Sequence, residues 1–198
     1  ASMTPFLEAI GIDKIYPGGV HANKGIDLSV AHSTVHAVVG ENGAGKSTLM
    51  KILFGVEQPN AGEIRLDGTP ITLHSPRAAI AAGIGMVFQH FSLVPSFTVA
   101  ENVVLGVAPR TGLQLDRKKA SETVRELAER FRLPVDVDVP VEQLPVGQQQ
   151  RVEILKALYR GARLLILDEP TAVLAPQEVV ELFAAVRSLT SQGRTILF

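Results

Sequence analysis

The sequence lacks cysteine, an excess of positive charge and any long run of purely apolar residues. Without cysteine among its 198 residues, the chain has no disulfide framework, no cysteine-based zinc site and no thiol nucleophile. Lysine and arginine number 19 against 20 acidic residues, so no overall basic excess favours nucleic acid as a partner, although a local basic patch stays open. Hydrophobic residues make up 46% of the chain, which is ordinary for a soluble folded domain.

The run from Ala78 to Ala100 carries no formal charge and is as long as a membrane-spanning helix. Polar residues, one proline and two glycines interrupt it, so it predicts a helix, a turn, a strand and a loop in a water-soluble domain. The first residues, Ala1 to Ile10, have no basic segment followed by an apolar one, so they do not resemble a secretory signal. We expect a cytosolic protein.

Apolar periodicity predicts an α/β fold. Ile26 to Val30 and Ile64 to Leu66 alternate apolar and polar residues, and the turn dipeptide Asp67-Gly68 leads on to Ile71 and Leu73, as in half-exposed antiparallel strands. Three short apolar runs are typical of parallel strands buried on both faces: Val35 to Val39, Leu164 to Leu167 and Thr195 to Phe198. Helical spacing appears between them, at Lys46 to Phe54 and at Glu178 to Leu189. Buried strands that alternate with helices indicate a mostly parallel core sheet.

The middle of the chain differs from the rest in its charge and periodicity. Charge is concentrated between Arg110 and Arg132, and apolar residues recur there at helical spacing, which predicts a surface helix with one apolar face. Val135 to Val139 alternates but is short and acidic, so we interpret it as a linker. These features predict a small helical subdomain at about residues 90–159.

Residues 40–47 read Gly-Glu-Asn-Gly-Ala-Gly-Lys-Ser and fit the pattern G-x-x-x-x-G-K-[ST] between a strand and a helix. Glycines let successive backbone N–H groups converge on phosphate oxygens, and the helix N-terminus adds positive potential. In this arrangement Lys46 reaches the β- and γ-phosphates and Ser47 ligates Mg²⁺. The alternative, a glycine-rich turn without a ligand, is disfavoured by the flanking strand and helix.

Two acids, Asp168 and Glu169, follow the buried run Leu164 to Leu167. A parallel strand delivers them to its C-terminal end, where ligands of open α/β sheets bind. Asp168 is placed to hold the Mg²⁺ shell, and Glu169 is placed to accept a proton from, or to orient, a water aimed at the γ-phosphate. The alternative is a pair of solvated acids at a strand end.

In order and spacing, these features resemble the ATP-binding cassette (ABC) ATPases of membrane transporters over essentially the whole chain. The resemblance implies a P-loop NTPase with an antiparallel β part and a helical subdomain. By the same resemblance, Tyr16 stacks on adenine, Gly40–Thr48 is Walker A, Gln89 is the Q-loop glutamine, Leu144–Gln148 is the signature, and Leu164–Glu169 is Walker B with a catalytic glutamate. A lone tyrosine is otherwise more often a core-edge residue, and a glutamine at a strand end is usually solvated.

The resemblance assigns the site residues as three sets. The catalytic set is Glu169, Lys46 and Gln89, and the metal set is Ser47, Gln89 and Asp168. The residues expected to contact ATP are Tyr16, Gly40, Glu41, Asn42, Gly43, Ala44, Gly45, Lys46, Ser47, Thr48, Leu144, Gly147 and Gln148.

The stretches 40–53, 86–91 and 146–158 resemble the N-terminal cassette of tandem ATPases that serve sugar and nucleoside importers. This implies a peripheral subunit on the cytoplasmic face of the membrane, a second cassette packed head to tail, separate permeases and, indirectly, a substrate-binding protein. The loop after Gln89 is expected to meet the permeases, with an apolar centre at Phe91, Leu93, Val94 and Phe97; the alternative is that these side chains pack internally.

Three features depart from the family pattern. Pro145 and Val146 stand at the usual signature serine and first signature glycine, in a segment that caps the γ-phosphate held by the opposite cassette. Proline removes a hydroxyl and a backbone donor. Ala175 stands where an acid is often found. The family's switch histidine would follow Phe198, so we expect residues 1–88 and 160–198 to form the core of a cassette that is incomplete at its C-terminus.

Three functions compete. The leading hypothesis is an ATP-hydrolysing subunit that drives import of a sugar or nucleoside. The second is an ATP-gated dimerisation module with little turnover, because of Pro145 and the missing histidine. The third, a cassette that acts on nucleic acid or ribosomes, is disfavoured by the short distance from Gln89 to Leu144 and by the balanced charge.

Overall fold

The computed structural model describes residues 3–38, 44–88, 91–105 and 116–198. In this part of the chain the strands are β1 Leu7–Ile15, β2 His21–Val30, β3 Val35–His36, β4 Ala61–Leu66, β5 Thr69–Ile71, β6 Ile84–Val87, β7 Leu164–Leu167 and β8 Thr195–Leu197. The helices are α1 Ala44–Leu53, α2 Pro76–Ala81, α3 Val99–Val104, α4 Arg117–Arg130, α5 Val146–Tyr159 and α6 Pro176–Ser191, with a 3₁₀ turn at Val141–Gln143.

The strands form two sheets. The first is antiparallel with the order β2-β1-β4-β5, and Leu7 of β1 pairs with Val30 on one side and Leu66 on the other. Leu7, Ala9 and Ile12 of β1 are buried, and Ile26, Leu28 and Val30 of β2 are less exposed than the residues between them, because one face of this sheet packs on the core. The second sheet is parallel with the order β3-β8-β7-β6. The α/β fold with antiparallel and parallel parts is therefore confirmed.

β7 lies inside the parallel sheet, and all four of its residues are buried. β8 is likewise buried, as the apolar run predicted. For residues 35–39 the predicted parallel strand is confirmed at Val35–His36, which pairs with β8, but the predicted burial is wrong, because Val35 is 41% exposed. β3 lies at the sheet edge among the described strands, so an apolar run there does not have neighbours on both sides.

Helices α3, α4 and α5 pack against one another. The predicted apolar face of α4 is confirmed, since Ala120, Val124 and Ala128 are buried and Phe131, just after the helix, is 1% exposed. Residues 135–139 form no strand, as expected of a linker, although Val137 is buried and its carbonyl accepts a hydrogen bond from the Ala100 N–H. This segment closes the helical part around α3.

The uncharged run from Ala78 onwards forms the end of α2, a turn, β6 and, over residues 91–97, a segment without helix or strand, as predicted. α3 begins at its end, at Val99, which was not predicted. Gly85 in β6 lies under α5, and a Cβ there would approach the Ala157 Cβ to 2.9 Å. α5 therefore packs directly on the parallel sheet. Among the described residues, none of the helices combines the length and the hydropathy that crossing a bilayer requires.

Candidate functional site

Helix α1 begins at Ala44, within the motif of residues 40–47, and extends for ten residues to Leu53. Lys46 and Ser47 are half-buried in its first turn, and Thr48 is 3% exposed. The free N–H groups and positive potential of a helix N-terminus suit phosphate. Gly40, Glu41, Asn42, Gly43 and Gln89 lie outside the described residues.

The first turn of α1 lies very close to β2. The Asn23 side-chain amide donates to the Gly45 carbonyl over 2.9 Å, and Asn23 itself is 4% exposed. A Cβ on Gly45 would come within 2.7 Å of the Ala22 carbonyl oxygen, so only glycine allows this approach. The antiparallel sheet thus fixes the position from which Lys46 and Ser47 project. Sequence reasoning missed Asn23, which gives no periodic signal.

Tyr16 follows the end of β1 and is half-buried. Its hydroxyl lies 3.1 Å from the Thr48 hydroxyl, so one of the two donates a hydrogen bond to the other. The Lys14 ammonium lies 5.3 Å from the centre of the Tyr16 ring. The ring therefore lies beside the first turn of α1, where a purine attached to a phosphate chain on that helix is within reach. Its stacking on adenine stays a prediction.

Asp168 and Glu169 directly follow β7. Asp168 is half-buried, and its backbone N–H donates to the Val87 carbonyl of β6 over 3.0 Å. Glu169 is exposed and has φ of +43°, a left-handed conformation that is uncommon for a residue with a Cβ. Such strain is concentrated at functional positions, since the surrounding structure has to enforce it. Here it turns the chain sharply and leaves the Glu169 side chain on the surface.

Charged groups on α1 and after β7 both affect the pKa of Asp168. The pKa of Asp168 is raised, first because burial disfavours the charged carboxylate and then because Glu169 is a like charge beside it. Lys51 and Lys46 act in the opposite direction and lower the pKa of Asp168. α1 and β7 also pack in one hydrophobic cluster, so the helix whose first turn holds Lys46 lies beside the strand that Asp168 follows.

A magnesium ion fits this donor set. A hydroxyl on α1, Ser47, and a partly desolvated carboxylate, Asp168, are hard oxygen donors of the kind that Mg²⁺ uses together with phosphates and water. The described residues hold no cluster of three histidine, cysteine or acidic side chains, which a site built from protein ligands alone would need. The remaining ligands would come from a nucleotide and solvent.

The signature segment opens α5. Pro145 is the N-cap residue and offers no side-chain hydrogen bond, while its carbonyl accepts from the Gln148 and Gln149 N–H groups. Val146 is 39% exposed, and Gly147 and Gln148 are half-buried. Leu144 packs against the hydrophobic core around α5. Gly147 and Gln148 thus lie in the first turn of a second helix whose N-terminus is not capped by a hydroxyl.

Two contacts that sequence reasoning missed hold α5 against the residues after β7. The buried Gln150 donates through Nε2 to the Pro170 carbonyl over 2.8 Å, and the Gly147 N–H donates to Glu178 Oε2 over 2.5 Å. Glu178 Oε1 also accepts from the Ala175 N–H over 3.1 Å. The only sequence signal was an acid at the third position of α6, where a glutamate can cap the helix.

Farther along α5, Glu153 holds the segment that follows Gln89. The Ser92 N–H donates to Glu153 Oε1 over 3.1 Å, and Glu153 is 7% exposed. Burial raises the pKa of Glu153, while Lys156, the Ser92 N–H and Arg160 oppose that shift. One face of α5 therefore contacts three segments at intervals of three residues: Gly147 meets Glu178, Gln150 meets Pro170, and Glu153 meets Ser92.

The apolar side chains of the segment after Gln89 lie at the surface. Val94 is 42% exposed, whereas Phe91, Leu93 and Phe97 are half-buried, and Leu93 packs against the core. Next to Ser92 is a cavity of about 160 Å³ between α2, β6 and α5. Its lining is mainly apolar, with charged groups at Glu153, Lys156 and Arg160. The four apolar side chains are therefore neither fully packed inside the protein nor fully exposed.

Comparison with known proteins decides the family. The family model described as ABC transporter matches residues 23–172, which is most of the chain and includes the loop before α1, the signature segment and the acids after β7. The chain belongs to the ABC transporter family.

Curated relatives support the assignment to the ABC transporter family. The guanosine import ATP-binding protein NupO of Bacillus subtilis is 49% identical over 191 residues, which is 96% of this chain and 37% of that protein. The ribose import ATP-binding protein RbsA 3 of Rubrobacter xylanophilus is 48% identical over 99% of this chain and 39% of that protein. The chain thus spans about two fifths of the length of these ABC proteins.

Solved ABC cassettes share the fold. The ADP conformation of MJ1267, an ATP-binding cassette of an ABC transporter, superposes with a TM-score of 0.85 at 27% identity, over 98% of this chain and 80% of that one. A nucleotide-free ABC cassette gives the same TM-score and identity. The family resemblance and the α/β P-loop fold drawn from the sequence are confirmed.

Proposed function

We propose that this chain is the ATP-binding and ATP-hydrolysing cassette of an importer of a sugar or a nucleoside. The observation that carries the proposal is the packing of α1, whose first turn holds Lys46, in one hydrophobic cluster with β7, which Asp168 directly follows. Relatives named as guanosine and ribose import ATP-binding proteins support the solute class. The solute passes through separate permease subunits, and the cassette lies at the cytoplasmic face of the membrane.

Within the proposed site each side chain has one task. Lys46 binds the β- and γ-phosphates, and the N–H groups of the first turn of α1 add to that binding. Ser47 and Asp168 hold Mg²⁺, which when bound neutralises charge on the phosphates. Tyr16 offers its ring to adenine. Glu169, exposed beyond β7, accepts a proton from the attacking water or orients it.

The permease partner is proposed to contact the segment after Gln89. Support comes from the partly exposed apolar side chains at Phe91, Leu93, Val94 and Phe97 and from the adjoining cavity. Glu153 anchors Ser92 to α5, whose first turn carries the signature. A second cassette is proposed to pack head to tail so that this signature caps a nucleotide bound by the other cassette.

A second function, an ATP-gated dimerisation module with little turnover, is favoured by one observation. Pro145 supplies neither a hydroxyl nor an N–H at the start of α5. In that case the cassettes close on ATP but hydrolysis at the site completed by this signature is slow. Measured turnover separates this function from the first.

The test of nucleotide binding is Lys46→Ala in the full-length protein, with Mg·ATP affinity measured by calorimetry. We expect the affinity of this cassette to fall at least about 100-fold, because a charged hydrogen bond to phosphate is lost. Lys118→Ala is the matched control: it removes the same charge from an exposed position on α4 and should change the affinity less than about fivefold. Unchanged affinity in Lys46→Ala would refute the assignment.

A further inference from the structure

The N-terminus of α5 is covered by an acid of the same chain. Glu178 Oε2 accepts the Gly147 N–H over 2.5 Å, and a Cβ on Gly147 would collide with that carboxylate. The N-cap residue, Pro145, contributes no side-chain hydrogen bond. The carboxylate of Glu178 therefore takes the place that the hydroxyl of an N-cap serine would otherwise have.

The carboxylate of Glu178, a residue of α6, accepts hydrogen bonds at the N-termini of both α5 and α6. Its second oxygen, Oε1, accepts the N–H of Ala175, the N-cap residue of α6, which has no side-chain oxygen of its own. Gln150 adds a further bond from the same face of α5 to Pro170. A single half-buried carboxylate, that of Glu178, thus connects the backbone of Gly147 in α5 to that of Ala175 before α6.

We infer that Glu178 is an internal anion that covers the signature end until a nucleotide on the second cassette displaces it. This rests on the proposed function, in which the first turn of α5 meets the γ-phosphate of that nucleotide. A carboxylate and a phosphate compete for one N–H and repel each other, so both cannot occupy the helix N-terminus. Glu178 therefore sets the nucleotide concentration at which the two cassettes close. It is a positioning residue for the composite site and takes no part in the chemistry.

The experiment is hydrogen exchange on the full-length protein during titration with Mg²⁺ and a non-hydrolysable ATP analogue. Protection of residues 40–48 reports nucleotide on this cassette, and protection of residues 145–150 reports closure of the signature on the other. Glu178→Gln keeps the size and an acceptor oxygen but removes the charge. We expect the half-protecting concentration for residues 145–150 to fall about three- to tenfold, with no change for residues 40–48.

Glu142→Gln is the matched control, because Glu142 is an exposed acid three residues before Pro145. It should shift closure less than about twofold. Equal half-protecting concentrations in wild type and Glu178→Gln, or an equal shift in Glu142→Gln, would overturn the inference while leaving the proposed function intact. Protection at 40–48 with none at 145–150 would contradict the composite site and this inference together.

A purely structural cap gives a different pattern. In that case Glu178→Gln lowers the melting temperature and weakens closure, which overturns the inference. If Glu178→Gln does not fold, the double variant Ala175→Thr with Glu178→Gln supplies a hydroxyl cap to α6 in its place. That variant should close at the same lowered concentration.

Discussion

The half of the site that would hold its own nucleotide differs from the half that would cap a neighbour's. The first half has every side chain that its motif requires, from Lys46 and Ser47 to Asp168 and Glu169. The second half, residues 144–148, has Pro145 and Val146 in place of a serine and a glycine. The two halves therefore differ in how far they depart from the family pattern.

The difference follows from the kind of group that each half uses. Ammonium, hydroxyl and carboxylate groups have no backbone substitute, so replacing any of them removes the chemistry. In the proposed composite site the first turn of α5 would act through backbone N–H groups and the helix dipole, and Gly147 keeps its N–H whatever precedes it. In this structure that N–H donates to the carboxylate of Glu178. We therefore expect a substitution at residue 145 to change the anion affinity of the first turn of α5 without abolishing it.

The largest expected effect lies in the first half. Glu169→Gln should lower the ATP turnover of this cassette about 10²- to 10⁴-fold, because an amide cannot accept the proton of the attacking water. Mg·ATP binding should persist, and the closed, nucleotide-bound state should accumulate. Phosphate release and a nucleotide-retention assay measure these two quantities.

The control for Glu169 is Glu126→Gln, an exposed acid on α4 that lies far along the chain from both motifs. Its turnover should match wild type. Equal turnover in Glu169→Gln and Glu126→Gln would exclude Glu169 as the base. It would also show that both halves of the site tolerate the loss of a side chain that the family pattern requires.

A pair of substitutions at Tyr16 tests a smaller effect in the same half. Tyr16→Leu should weaken ATP binding about tenfold, because a stacked base contributes on the order of 1–3 kcal/mol. Tyr16→Phe keeps the ring and loses only the hydroxyl contact to Thr48, so its affinity should stay within about threefold of wild type. Titration with a fluorescent ATP analogue measures both. Equal losses in the two variants would show that the hydroxyl contact to Thr48, and not stacking, is what Tyr16 contributes.

The sequence predicted what depends on local pattern. The strand over residues 164–167, the helix after the glycine-rich loop and the apolar face of α4 all follow from periodicity and from short motifs. The exposed edge position of Val35 did not, because an apolar run gives no information about its place in a sheet. Strand order is decided by contacts between distant segments.

The same limit applies to the site. Lys46, Ser47, Asp168 and Glu169 could be predicted because each lies in a contiguous motif, and α1 and β7, which position them, pack in one hydrophobic cluster. The contact between Gly147 and Glu178 joins residues far apart in sequence, and neither residue type is unusual where it stands. Such a contact becomes visible only when α5 and α6 are placed side by side. For that reason the departure at Pro145 was noticed from the sequence, but the acid that offsets it was not.

The smallest effect is expected at Pro145, where the comparison between the two halves is sharpest. Pro145→Ser should raise turnover of the full-length protein about two- to fivefold, because a serine at the N-cap supplies a hydroxyl and a backbone N–H beside Gly147. Pro140→Ser, at the N-cap of the neighbouring 3₁₀ turn, controls for loss of a proline and should leave turnover within about twofold. A steady-state phosphate assay is sufficient. If Pro145→Ser behaves like Pro140→Ser, the signature of this cassette does not limit turnover, and its composite site is silent in the wild-type protein.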